Sequence, residues 1–151
     1  MSDDPKVEAI LAAARNRAQA LGLPYAGALL PAEAHALMQA GARLVDVRTQ
    51  AELYWVGRIP GAVTIEWNRY PDGTLNTDFV GQLAGSVSSE ETTMFICRSG
   101  ARSHHAAMAA THAGFRHSYN VLEGFEGDKD PQGHRNTIGG WRIAGLPWIQ
   151  S

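Results

Sequence analysis

The chain has 151 residues and a formal net charge of −2, with 13 Lys and Arg against 15 Asp and Glu, and a single cysteine. That length suits one domain with one substantial core, the charge gives no global pull toward nucleic acid, and one cysteine excludes an internal disulfide. No stretch approaches the roughly 18 consecutive apolar residues of a membrane span, so neither a nucleic acid nor a membrane is expected as a partner.

The acidic start Met1-Ser2-Asp3-Asp4-Pro5 lacks the basic patch and apolar stretch of a signal or transit peptide. With an unpaired thiol, this points to a reducing, cytoplasmic setting. Residues 5–21 carry Val7, Ile10, Leu11, Ala14, Ala18 and Leu21 at three- and four-residue spacing, which predicts an amphipathic helix ended by Gly22 and Pro24. This N-terminal extension, residues 1–24, either packs on the domain or projects toward a partner; residues 25–151 read as the domain proper. A second helix is expected from Ala32 to Gln39, stopped by Gly41.

The β-branched run Arg43 to Arg48 predicts a buried strand, and Thr49-Gln50-Ala51-Glu52 after it fits a capping box that starts a brief helix. Ile59-Pro60-Gly61 is a turn before the strand Ala62 to Ile65. A helix from about Asp78 to Leu83, a strand over Thr93 to Ile96, a helix from Ser103 to Ala113 and a strand at Ser118 to Val121 complete the series. Such alternation implies an α/β fold, a mostly parallel sheet with helices on both faces. The tail from Glu123 to Ser151 holds six glycines but also Trp141 and Trp148, and reads as ordered coil anchored by the two indoles.

The most informative segment lies between a predicted strand and a predicted helix: Cys97-Arg98-Ser99-Gly100-Ala101-Arg102. A lone cysteine often serves as a small buried hydrophobe. Here two arginines and a glycine make an electropositive loop of the kind that favours the thiolate. Backbone N–H groups and a helix N-terminus converge on an anion in such a strand–loop–helix turn. Because ligands in open α/β sheets sit outside the carboxyl ends of the strands, Arg48, Glu66 with Trp67, and Cys97 are expected at one edge.

Taken together, Leu44-Val45-Asp46-Val47-Arg48, the acidic Glu52, Gly57-Arg58-Ile59-Pro60-Gly61-Ala62, the Cys97 to Ser103 loop, Asn120 to Phe125 and the tail through Gly145-Leu146-Pro147-Trp148 resemble the single-domain rhodanese-like sulfurtransferases. The resemblance spans roughly residues 25–151. One departure is Arg58, where the family usually has a histidine; that position belongs to the turn rather than to the chemistry. The resemblance implies a Cys97 persulfide that carries sulfane sulfur from an anionic donor such as thiosulfate to a thiol or cyanide. A persulfide carrier or redox-sensing module serving a protein partner is the alternative, and a protein sulfur acceptor is a possible partner.

In that scheme amides from Ser99 to Ser103 surround the sulfur, Gly100 permits the curve, and Ala101 completes it. Arg98 and Arg102 bind the donor's oxyanion, unless they serve as surface charge or pair with Asp46 or Glu123. Ser103 is expected as a helix N-cap. Asp46 and Arg48 support the loop, with Arg48 also within reach of substrate. Trp67 reads equally as pocket wall or core. Related phosphatases place five residues between cysteine and arginine; four stand here, a ring better suited to a persulfide than to a phosphoryl group. Histidine spacing does not suit a metal: His105 and His112 lie two turns apart, roughly 10 Å. No dinucleotide fingerprint follows a strand, so no cofactor is expected.

Overall fold

A computed structural model describes residues 4–151; the first three residues of the acidic start lie outside the described residues. The elements are α1 (Pro5–Leu21), β1 (Gly27–Leu29), α2 (Pro31–Gln39), β2 (Arg43–Asp46), α3 (Gln50–Trp55), β3 (Val63–Thr64), α4 (Phe79–Ser86), β4 (Thr93–Ile96), α5 (Ala101–His112) and β5 (Ser118–Val121). All five strands run parallel in the order β1-β5-β4-β2-β3. Parallel neighbours need crossovers, and the helices that supply them cover both faces of the sheet. The architecture is the α/β fold expected from the alternation.

Side-chain alternation along β4 decides where the cysteine goes. Met94 and Ile96 enter the core that holds Leu37, Leu44, Phe125 and Trp141. Phe95 and Cys97 enter the opposite one, with Phe79, Leu83, Ala106 and Ala107 of α4 and α5. Cys97 therefore lies on the α5 side of the sheet.

Helix α1 covers the expected residues and packs into the first core through Val7, Leu11 and Ala14. Arg17 ties it to Glu33 of α2 at 3.0 Å. Only Leu21 leaves the expected apolar face, exposed in the last turn before the left-handed Gly22 cap. Strand β1 has no counterpart in the expectations, because Gly-Ala-Leu carries no β-branched residue and no alternation. Its glycine is needed all the same: a Cβ on Gly27 would lie 2.6 Å from the Tyr119 ring.

The tail contains no helix or strand, yet it is held. Trp141 is fully buried and its Nε1 donates to the Pro147 carbonyl at 2.8 Å. Ile149 forms an isolated antiparallel bridge with Arg58.

Candidate functional site

Chain order and strand order disagree between β2 and β4. From β2 the chain moves outward to the edge strand β3, then returns to place β4 on the other side of β2. Connections leaving the carboxyl ends of these two neighbours diverge and open a crevice. One side of it receives residues 47–56, the other the loop from Cys97 to Arg102.

Cys97 is only 1 % exposed. The Gly100 N–H donates to its Sγ at 3.1 Å, and the Ser103 hydroxyl lies 3.3 Å from it. Gly100 makes this return possible with φ 111, a left-handed conformation, and caps α5 with its backbone. The helix therefore starts at Ala101, two residues earlier than expected. That corrects the expected role of Ser103: it is no N-cap but lies inside the first turn, buried, with its hydroxyl on the sulfur. The N-terminal end of α5 favours negative charge on that sulfur. Asn120 Nδ2 donates to the Gly100 carbonyl at 3.2 Å, while the Phe125 and Glu126 amides donate to the carbonyls of Cys97 and Arg98 at 2.8 and 2.9 Å. Ser99 and Ala101 complete the curve.

The two arginines part company. Arg98 is exposed and, among the described residues, its guanidinium has no partner. Arg102 makes a fork-to-fork pair with Glu52 across the crevice, Nη1–Oε1 at 2.7 Å and Nη2–Oε2 at 2.8 Å. Its partner is thus neither Asp46 nor Glu123. Glu52 is the residue whose role sequence reasoning missed: the capping box is present, with Glu52 Oε1 accepting from the Thr49 amide at 3.1 Å, but the same carboxylate also holds Arg102. Burial pushes the Glu52 carboxyl up, but the bonds and charge of Arg102 and the bonds from Thr49 outweigh it and bring it from 4.5 to about 2. Arg102 is raised in turn, chiefly by its bond to Glu52.

Above the loop lies an open cavity of about 500 Å³ whose walls include Arg98, Arg102, Glu52, Val56 and Tyr70. Cys97 itself is buried and not part of the lining, to which the loop contributes Arg98 and Arg102.

Asp46 and Arg48 form a fully buried pair, Arg48 Nη2 to Asp46 Oδ2 at 2.7 Å. The same nitrogen donates to the Gly57 carbonyl at 2.9 Å, and the guanidinium stacks over the Phe125 ring at 4.1 Å. Arg48 turns inward and does not reach the cavity, which corrects the expectation that it also meets substrate. It touches the loop indirectly, through Phe125. Glu66 and Trp67 also stay away from the cavity above the cysteine. Glu66 accepts from the Gln50 amide at 2.9 Å, and Trp67 packs edge-on against Phe79.

Among the described residues no group of three His, Cys, Asp or Glu side chains could hold a metal ion, and no helix is long and apolar enough to cross a membrane. His104, whose Nδ1 shares a hydrogen bond with the Tyr25 hydroxyl at 2.8 Å, is lowered by burial and by the neighbouring His105.

The profile of the rhodanese-like domain matches residues 30–130. The chain belongs to that family. A crystal structure of Rv0390 from M. tuberculosis superposes with a TM-score of 0.76 at 42% identity, covering 84% of this chain and 99% of that one. An uncharacterized protein of Rickettsia rickettsii is 36% identical over 70% of this chain and 80% of its own length. A chloroplastic protein of Arabidopsis thaliana named thiosulfate sulfurtransferase 16 is 34% identical over 61% of this chain and 78% of its own. In this rhodanese-like domain Arg58 serves the tail: its backbone pairs with Ile149, and its Nη1 donates to the Ser151 hydroxyl at 2.7 Å. Residues 131–151 lie beyond the matched profile.

Proposed function

We propose that this rhodanese-like domain is a sulfurtransferase that moves sulfane sulfur from an anionic donor such as thiosulfate to a thiol or cyanide through a Cys97 persulfide. The Cys97 thiolate attacks the outer sulfur of the donor; the donor's S–S bond breaks and its electron pair leaves with sulfite. The acceptor then attacks the outer sulfur of the persulfide, and the pair of that S–S bond returns to Cys97.

One observation carries the reading: the only thiol of the chain lies at the start of α5, accepting from the Gly100 amide at 3.1 Å and within 3.3 Å of the Ser103 hydroxyl, in a loop whose two arginines, Arg98 and Arg102, wall a cavity. These donors suit an anionic sulfur. Arg98, with no side-chain partner, is the donor's oxyanion anchor; Arg102 contributes positive charge while its fork is held by Glu52. Four residues rather than five between Cys97 and Arg102 make a ring better suited to one further sulfur than to a tetrahedral phosphoryl group. The Arabidopsis relative's name supports the same class. A single thiol suits a reducing compartment such as the cytoplasm.

Intact mass after incubation with thiosulfate, and separately with mercaptopyruvate, tests the reading. The protein gains the mass of one sulfur atom on Cys97 and loses it to cyanide, whereas Cys97→Ser folds and gains none. A wild-type protein that takes up no sulfur from either donor removes it. The near-complete burial of Cys97 favours a second reading, a carrier that shields its persulfide for a protein acceptor; slow release to cyanide after full loading distinguishes it.

A further inference from the structure

The segment beyond the family profile is bonded to both walls of the cavity. On the loop side, Phe125 and Glu126 hold the carbonyls of Cys97 and Arg98. The tail in turn holds that turn: the Trp141 amide donates to the Gly124 carbonyl at 2.8 Å, and the Gly140 amide donates to Glu123 Oε1 at 2.9 Å. Contact is close enough that a Cβ on Gly124 would lie 2.5 Å from the Cys97 oxygen.

On the α3 side the principal link is the Arg142 side chain, beside the Gln150 Nε2, which donates to the Val56 carbonyl at 3.3 Å, and the Ile149–Arg58 bridge. The Arg142 guanidinium lies 5.2 Å from the Phe125 ring centre and 4.8 Å from that of Trp148. Its Nη1 donates to the Val56 carbonyl at 3.1 Å and its Nε to Asn136 Oδ1 at 3.0 Å. Val56 caps α3 and lines the cavity, and α3 carries the Glu52 that holds Arg102. A planar cation stacked on aromatic rings and bonded through two nitrogens has little freedom left.

We propose that Arg142 is a positioning residue whose strap, residues 139–149, fixes the distance between the α3 wall and the Cys97 loop, and so fixes how the donor fits. The inference rests on the reading of Cys97 as the sulfur carrier. Its test is therefore built on two independent readouts. The first is the rate of iodoacetamide alkylation of Cys97, unambiguous because the chain has no other thiol. It reports how tightly the loop is held and needs no sulfur transfer. The second is the split between KM and kcat for thiosulfate.

Arg142→Met is expected to alkylate roughly ten-fold faster, the effect of losing about one charged hydrogen bond, and to show a similar rise in KM for thiosulfate with a smaller change in kcat. Arg142→Lys, which keeps the charge but not the fork, falls between. Both are measured well below their melting temperatures. A residue with a merely structural role would lower the melting temperature of Arg142→Met and leave alkylation at the wild-type rate, and that result overturns the proposal. If wild type transfers no sulfur, the functional reading fails while alkylation still decides the strap. If Arg142→Met does not fold, Asn136→Gly, which removes the Nε anchor and suits the left-handed backbone at φ 63, is put through the same comparison.

Discussion

Replacing Glu52 by glutamine keeps the shape of the α3 cap, since glutamine also serves at the third position of a capping box, and removes the charge facing Arg102. The carboxyl stands at about 2 against an ordinary 4.5, and about 1.4 kcal/mol corresponds to each pH unit, so the charged form contributes at most about 3.5 kcal/mol. The pair is partly open to solvent, with side chains 22% and 20% exposed, so a loss of about 1–3 kcal/mol is expected. For a domain of this size that lowers Tm by roughly 3–10 °C. The folded value is depressed, so the contribution is fully present above the unfolded value of 4.5 and is lost as pH falls toward 2. The Tm gap between wild type and Glu52→Gln should be constant from neutral pH to about 5 and should have shrunk by more than a third near pH 3.5. Thermal melts followed by circular dichroism across that range read it directly. Equal melting temperatures at neutral pH, or a gap that does not narrow in acid, would refute the argument that the charge pair holds α3 to α5.

Arg98→Ala should raise KM for thiosulfate about ten-fold, as expected for a lost charge-assisted contact, with Tm within about 2 °C of wild type because the side chain is exposed and unpaired; unchanged kinetics would remove Arg98 from the donor site. Arg102→Lys should do the reverse in stability and lower Tm, since an ammonium cannot reproduce the fork on Glu52 at 2.7 and 2.8 Å. Gly124→Ala places a Cβ 2.5 Å from the Cys97 oxygen at φ 64 and should cost about 3 kcal/mol or more in a denaturant melt. Aryl phosphates should not be hydrolysed; turnover abolished by Cys97→Ser would overturn the argument from the four-residue loop.

What the sequence discloses here is what short stretches decide. Thr93 to Ile96 and Ser118 to Val121 are strands over the expected residues because their buried runs are bounded by polar turns. Cys97 follows from the first of these by position alone. Thr49 and Glu52 announce a helix start because the cap is completed within four residues. The features that escaped depend on which strands become neighbours. Arg102 and Glu52 are 50 positions apart and meet only because β4 inserts beside β2 rather than beside β3. Without that order, Asp46 and Glu123 are equally reasonable partners for the arginine.

Ser103 escaped for a different reason. With Gly100 in the left-handed region, the backbone of the loop can begin the helix at Ala101, and the hydroxyl is released from capping to face the sulfur. The identity of the loop residues was therefore legible, while the division of labour among them was set by one backbone angle and one strand order. That division has a chemical consequence. Arg102 joins α3 to α5 through its fork on Glu52, so on the proposed reading donor binding falls to Arg98, which the fold leaves unpaired. In the proposed transfer the donor's charge is then met by the exposed Arg98 side chain in the cavity wall, and the charge of Arg102, whose own field includes Cys97, stays held by Glu52 whether or not a donor is bound.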